Sequence, residues 1–452
     1  MNEALKFVIP NARYMPSVKL GRWDGTVSFC TIAGNTFVNL LERVVPIVQK
    51  AGYNIEVDDR RPAYDFKFPA IDEQIFADRM WPTGHTMAGE PIILRDYQVE
   101  AARTFLINLQ GIQQIATAAG KTLLTASLSC LVEPYGRSIV IVPSKTLVIQ
   151  TEEDYRNLGL DVGVLFGERK EWGHQHTIAT WQSLSNLDKN AKAMEYIEGV
   201  VCVMVDEVHS AVGKVLRELL TGPFAHVPIR WGLTGTVPKE EHEAICLLAG
   251  IGPVVGKILA VELQEKGVLA NCQVEIVQLE DAVLEFADYH GEHDFLVTDP
   301  LRLQHIANRI TEWNDSGSTL VLVDRIESGE MLEAMLPNAV FISGDTKLKH
   351  RQTAYKSVQT TDQQIIIATY GVASVGINVP RIFNLVLLEP GKSFVRVIQS
   401  IGRGLRRAKD KDYIRIIDLC STLKFSRRLL GKRKPFYIEA EYPHHLIKES
   451  YR

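Results

Sequence analysis

"QIATAAGKTLL" (residues 114–124) is the stretch on which the reading of this chain turns. It runs from a short apolar segment through small residues into Gly120-Lys121-Thr122, and then into the helix-like "KTLLTASLSCLV" (121–132). A phosphate-binding loop is built this way: successive backbone N–H groups form a concave nest, and the helix N-terminus that follows adds positive potential. The spacing G-x-x-x-x-G-K-[ST] would put the first glycine at position 115, which is Ile115. Backbone supplies most of the ligation, so the loop side chains need only be small, and Ala118 and Ala119 are. Gly-Lys-Thr alone also recurs by chance, so both readings stand on this stretch by itself.

A second element raises the first reading. "VVCVMVDEVH" (200–209) reads as a buried strand that delivers Asp206 and Glu207 to its C-terminal end, where ligands bind in open α/β sheets. A Mg²⁺ ion on nucleotide phosphates needs a carboxylate nearby, and a second carboxylate can orient the attacking water. The bland reading is two solvated acids closing a strand.

Similar apolar, β-branched runs recur at 138–143, 319–324, 364–370 and 382–390, each ending in a polar or Gly/Pro residue. Continuous apolar strands point to parallel sheets covered on both faces. Helix-like stretches lie between them, as at 121–132 and 328–337, and this alternation predicts doubly wound α/β domains. Two such sets are expected, about 88–258 and 259–425, joined through the Gly-rich "LLAGIGPVVGKI" (247–258). Residues 1–87 have another texture. "KLGRWDGTVSF" (19–29) carries an Asp24-Gly25 hairpin signal, "TFVNLLERVVPIVQKAG" (36–52) reads as an amphipathic helix ending at Gly52, and "VDDRRPAYDFKFP" (57–69) is rich in charge and proline. They predict a small α+β accessory domain. Residues 426–452 are expected to be a basic C-terminal tail.

Composition narrows the classes. At 452 residues the chain is too long for one core. An apolar fraction of 46% with 23% charged residues is that of a globular protein. No run reaches about 18 uncharged apolar residues, so no spanning helix is expected, and the N-terminus lacks the pattern of a secretory signal. The six cysteines are dispersed, without metal-ligand spacing, which fits a reducing cytoplasm. Net charge is −4, but residues 402–452 hold 14 Lys+Arg against 6 Asp+Glu, a net of +8 that leaves −12 for the rest. That basic segment either faces a phosphate backbone or is a solvated helix face.

In order along the chain, "LRDYQ" (94–98), "ATAAGKT" (116–122), "PSKTLVIQ" (143–150), "TIATWQSL" (177–184), "DEVH" (206–209), "LTGT" (233–236), "FISGD" (341–345), "ATYGVASVGINVP" (368–380) and "QSIGRGLRR" (399–407) resemble the motif series of superfamily 2 helicases and translocases. With "GRWDG" (21–25) and the form of the 368–380 motif, the chain resembles the UvsW-type phage recombination helicases, although its DEVH replaces the DECH of that family. The resemblance implies two tandem RecA-like lobes, parallel sheets with helices on both faces, beside a small N-terminal α+β domain. It implies ATP and Mg²⁺ as cofactors and branched or forked DNA, or RNA–DNA hybrids, as partners. A monomer in the cytoplasm, the host's if phage-encoded, is expected.

The resemblance also implies residue roles. Arg95 and Gln98 lie at the adenine. Ala118, Ala119, Gly120, Lys121 and Thr122 cradle the phosphates, with Gly376 and Asn378 coupling nucleotide to strand. Thr122 and Asp206 hold Mg²⁺. Glu207 acts on the attacking water, Gln399 orients the γ-phosphate or that water, and Arg403 and Arg406 are arginine fingers in cis. Ser144, Lys145, Thr180, Gln182 and Thr369 hold a nucleic-acid backbone, the alternative for each hydroxyl being a bond to its own loop. Trp181 and Trp23 each read either as stacking on nucleic acid or as core aromatics. Asp345 receives no role. The functional expectation is ATP-dependent remodelling of branched DNA. An RNA or RNA–DNA hybrid helicase is the alternative within the class, and a nucleotide-gated binding scaffold is the alternative outside it.

Overall fold

The structure is a computed structural model. It describes every residue except 1, 11, 84, 86, 186–190, 212–213, 239, 283, 347–349, 351–352, 355–356, 358–360, 374–380, 392–401, 403–409 and 452. By backbone contacts the chain divides into two compact units. One holds 1–115 and 120–257, and the other holds 258–452 together with the four loop residues 116–119.

The first unit begins with strands β1 (Lys6–Val8) and β2 (Thr26–Ser28), paired antiparallel. The Asp24-Gly25 hairpin expectation fails. The partner of β2 lies about twenty residues upstream, and the pair is joined through a short helix, Pro16–Lys19. Asp24 instead accepts hydrogen bonds from the N–H and hydroxyl of Thr26, an Asx-type turn that starts β2 rather than closing a hairpin. Trp23 donates from its indole to the Thr26 carbonyl. The expected amphipathic helix is present at Leu41–Lys50, with Gly52 left-handed just beyond it. Its Val44, with Leu40 and Phe29, packs on Ile245 and Ala249 of the helix Glu241–Gly250, so the small α+β element is docked on the first lobe. The segment 57–69 follows. Tyr64, Phe66 and Phe68 alternate along extended chain, fall on one side and stack at 5.5 and 5.4 Å, and Phe66 and Phe68 meet Tyr135 edge-on.

The lobe itself is an eight-stranded sheet. Its strands are β3 (Gln110–Ile115), β4 (Arg137–Val142), β5 (Val162–Phe166), β6 (Arg169–Lys170), β7 (His176–Thr180), β8 (Val200–Asp206), β9 (Ile229–Thr234) and β10 (Val254–Ile258). The order is β10-β3-β9-β8-β4-β7-β5-β6, parallel from β3 through β5, with β6 folded back antiparallel on β5. β7 and β9 are buried at every position, as strands covered on both faces must be.

The second unit is a seven-stranded, all-parallel sheet. It contains β11 (Asn271–Leu279), β12 (Thr319–Val323), β13 (Ala339–Ile342), β14 (Ile365–Thr369), β15 (Asn384–Leu388), β16 (Tyr413–Ser421) and β17 (His444–Glu449), in the order β13-β14-β12-β15-β16-β11-β17. Its core gathers Val321, Val323, Ile367, Val386 and Ile417 under the helix Pro300–Asn314. Both sheets are thus parallel α/β lobes, the architecture of tandem RecA-like domains.

Residues 426–452 are not a tail. They lie in a sixteen-residue helix, Lys424–Glu439, and in β17, which pairs in parallel with β11. Composition missed this because the helix hides its anchor in a charged residue. Arg433 is fully buried, donating from Nε and Nη2 to the two carboxylate oxygens of Asp418 at 3.0 and 2.8 Å. Tyr437 donates to the same carboxylate at 2.7 Å.

Candidate nucleotide site and nucleic-acid cleft

β3 ends at Ile115, and the chain turns through two left-handed residues, Ala118 (φ 68°) and Gly120 (φ 80°), into the helix Lys121–Val132. Gly120 is required twice over, because a Cβ there would meet Nε2 of Gln98 at 2.5 Å as well as sit in the left-handed region. The first amides of this helix have no intrahelical acceptor and point toward the loop. No glycine is needed at position 115 because Ile115, 2% exposed, is a core residue at the end of β3 and not part of the turn.

Gln98 is buried in the first turn of the helix Asp96–Ile107. Its Oε1 accepts from the Arg95 amide at 2.9 Å, and its Nε2 donates to the Gly120 carbonyl at 3.3 Å. Arg95 is exposed and donates to the Tyr97 hydroxyl at 3.1 Å. Gln98 therefore ties the expected adenine end of the site to the loop backbone.

β8 delivers Asp206 and Glu207 as the sequence predicts. Glu207 is left-handed (φ 52°), strain of about 1–3 kcal/mol for a residue with a Cβ. Two contacts hold it there: its amide donates to Asp206 Oδ1 at 2.9 Å, and its carboxylate accepts from Lys121 Nζ at 2.8 Å. The pair is nearly dry, with side chains 9% and 15% exposed. Burial pushes the Asp206 carboxyl up to about 6, with the Glu207 charge adding to the rise and the Lys121 ammonium opposing it. Thr122, half-buried, sits one residue into the same helix.

His209 and Thr234 extend this cluster. His209 Nδ1 lies 2.7 Å from the Thr234 hydroxyl and 3.4 Å from Glu207. The Thr234 hydroxyl donates to the Thr236 carbonyl at 2.7 Å, so Nδ1 is the donor to Thr234. Burial lowers the His209 pKa, favouring the neutral ring, and the bond to Thr234 selects the Nδ1–H tautomer. "DEVH" and "LTGT" carried the signal for both residues, but the sequence does not show that they meet.

Further along the same sheet, the C-terminal ends of β4, β7 and β5 open into a cleft of about 670 Å³. Ser144, Lys145, Thr180 and Gln182, the four first-lobe residues expected to hold a backbone, all line it. The Ser144 hydroxyl caps its own helix, Lys145–Asn157, accepting from Leu147 N at 3.3 Å. Thr180 shares a 3.0 Å hydrogen bond with Ser183. Lys145 and Gln182 are exposed. The β5–β6 region adds Gly167, Lys170 and Trp172, which lie in no recognised motif. Trp172 and Trp181 are both half-buried and pack against the core; Trp172, edge-on to Tyr196 at 5.3 Å, also borders the cleft.

In the second unit Thr369 ends β14, half-buried, immediately before a short helical turn, Tyr370–Ala373. Gly376, Asn378, Gln399, Arg403 and Arg406 lie outside the described residues. No helix among the described residues is long and apolar enough to cross a membrane.

The family model described as "Type III restriction enzyme, res subunit" matches residues 91–239, and that described as "Helicase conserved C-terminal domain" matches 302–408. Together with the two lobes, these define an ATP-hydrolysing helicase. The chain is 22% identical over 463 residues to the ATP-dependent DNA helicase uvsW of Enterobacteria phage T4, covering 98% of this chain and 90% of the relative. It belongs to the superfamily 2 DExH helicases and is of the UvsW type. Among solved structures, the ATP-dependent Type ISP restriction-modification enzyme LlaBIII bound to DNA matches the fold with a TM-score of 0.60 at 15% identity, over 80% of this chain and 32% of that one. An S. cerevisiae Dbp5 variant bound to RNA and ADP BeF3 matches with a TM-score of 0.56 at 15% identity, over 78% and 89%.

Proposed function

We propose that this helicase is an ATP-driven DNA motor that remodels branched DNA (forks, four-way junctions, D-loops and R-loops) in recombination, repair and replication, in the cytoplasm of the cell that carries it. One observation supports this most. The Lys121–Glu207 cluster sits at the ends of β8 and β9, the Ser144–Lys145–Thr180–Gln182 cleft sits at the ends of β4, β7 and β5, and β8 and β4 are hydrogen-bonded neighbours. A change at one cluster has a short, rigid path to the other.

The residues present suit a nucleotide. The loop has two left-handed positions at a helix N-terminus, and a buried ammonium and two carboxylates converge behind it. Ala118, Ala119 and Gly120 would present backbone N–H groups to phosphate, Arg95 and Gln98 would border the base, and Lys121 would turn from Glu207 to the phosphates. Glu207, released from its ion pair, would then orient a water as base. Thr122 and Asp206 would hold Mg²⁺. Bound ATP with Mg²⁺ supplies the scissile phosphoanhydride and the charge to be neutralised. Arg403 and Arg406 are assigned to that neutralisation, Gln399 to orienting the γ-phosphate or the attacking water, Gly376 and Asn378 to coupling nucleotide to strand, and Thr369 to the strand.

ATPase rates with and without a four-way junction, and migration of that junction compared with unwinding of a tailed duplex, test the proposal. Junction-stimulated turnover with junction migration is expected. Stimulation by single-stranded RNA alone would replace it with the RNA reading, and binding without turnover would replace it with the scaffold reading.

A further inference from the structure

The helix Lys424–Glu439 has two unlike faces. Ser426, Leu430, Arg433 and Tyr437 are buried, and Glu292 accepts from the Phe425 and Ser426 amides at 2.9 and 2.6 Å, so the N-terminal end is pinned as well. Lys424, Arg427, Arg428 and Lys432 are exposed. At 100° per residue these four cations fall within about 140° of the circumference, opposite the buried row. None has an ion-pair partner among the described residues, whereas the half-buried Arg381 of the same unit pairs with Asp362 and Asp410. Near the middle of the stripe is Gly431, with nothing within 4 Å of where its Cβ would be. Four residues on, Pro435 lies inside the helix and leaves the Gly431 carbonyl without its helical N–H donor.

We infer that this stripe is a second nucleic-acid surface, one that carries the duplex arm of the branched substrate through its phosphodiester backbone. The inference rests on the function proposed above. Charge complementarity names the partner: four exposed cations without a carboxylate partner among the described residues, in a protein of net charge −4, match a polyanion. Shape and chemistry select duplex over single strand. Single-strand sites combine cations with aromatic rings that stack on bases. The cleft of the first unit, with Trp172 beside Lys145 and Lys170, has that composition. The exposed face of this helix is convex, and the ring beside it, half-buried Phe425, is capped by the Lys424 ammonium at 5.4 Å rather than open for a base. The bidentate Arg433–Asp418 bond fixes the azimuth of the helix, so the stripe is presented without further ordering.

The test uses the full chain and a blunt duplex without single strand, followed by fluorescence anisotropy across a salt series. The variant Lys424→Gln/Arg427→Gln/Arg428→Gln/Lys432→Gln is expected to melt like the parent. It should keep its single-strand-stimulated ATPase and lose about 3–4 units from the log affinity against log salt slope. In the parent, duplex should protect Lys424 and Lys432 from acetylation while the exposed Lys50 and Lys67 stay reactive. An unchanged slope in the folded variant, or unprotected Lys424 and Lys432, overturns the inference. Failure of any nucleic acid to stimulate the parent ATPase would instead sink the proposed function, while the duplex slope still reports on the stripe.

Discussion

The two lobes place charged side chains at the C-terminal ends of parallel strands and treat them in opposite ways. In the first lobe Lys121 has Glu207 as its ion-pair partner, both side chains keep a little solvent, and Glu207 is strained. In the second lobe Arg302 is fully buried. It donates to Asp281 at 3.1 Å, to Glu389 at 2.7 Å and to the Leu296 carbonyl. Ser421, Tyr451 and Ser426 supply further donors to the same two carboxylates. Arg433, Asp418 and Tyr437 form a second closed set. A charge whose hydrogen-bonding capacity is filled by the fold is architecture. A charge held by a strained residue that keeps a little solvent can be given to a ligand with small reorganisation.

The largest expected effect breaks the architectural side. Asp418→Ala leaves the Arg433 guanidinium buried without its carboxylate and should lower unfolding free energy by about 3–5 kcal/mol, read from urea denaturation. A loss below about 1 kcal/mol would show that water reaches the pair. Next comes the ligand side. Lys121→Ala should cut ATP turnover about a hundredfold to a thousandfold, the scale of losing one electrostatic stabiliser. Its DNA affinity should stay near the parent's while its melting temperature falls, since Glu207 loses its ammonium, and parental turnover would refute the loop assignment. A smaller effect sharpens the cleft. Trp172→Ala should weaken single-strand binding by about 1–3 kcal/mol with no change for blunt duplex, if the ring stacks on a base. Equal losses on both substrates would make Trp172 a packing residue only. The smallest is Gly120→Ala, which adds about 1–2 kcal/mol of left-handed strain and displaces Gln98. It should appear as a raised KM for ATP and as a loss of about 1–2 kcal/mol in unfolding free energy.

Much of the first lobe was legible because its signals are local. β-branched runs, a small-residue turn before a helix, and adjacent acids at a strand end each follow from a few consecutive residues. The strands expected at 138–143, 200–207, 319–324, 364–370 and 382–390 lie within two residues of β4, β8, β12, β14 and β15. Lys170 and Trp172 were not legible, since only the return of β6 onto β5 carries them to the cleft. The Asp24-Gly25 pair misled because an Asx turn and a two-residue hairpin share the same local preference. The basic count after residue 402 misled because composition does not separate Arg433, sealed against Asp418, from Arg427 and Arg428 on the opposite face.

By itself the sequence determined the kind of lobe and the chemistry of the loop and acids, since backbone periodicity and catalytic residue types are properties of short segments. Tertiary structure alone decided which charges are spent inside the fold and which are left outward. Burial and pairing depend on residues far apart in the chain, such as Arg302 with Glu389, 87 positions apart, or Lys121 with Glu207, 86 apart.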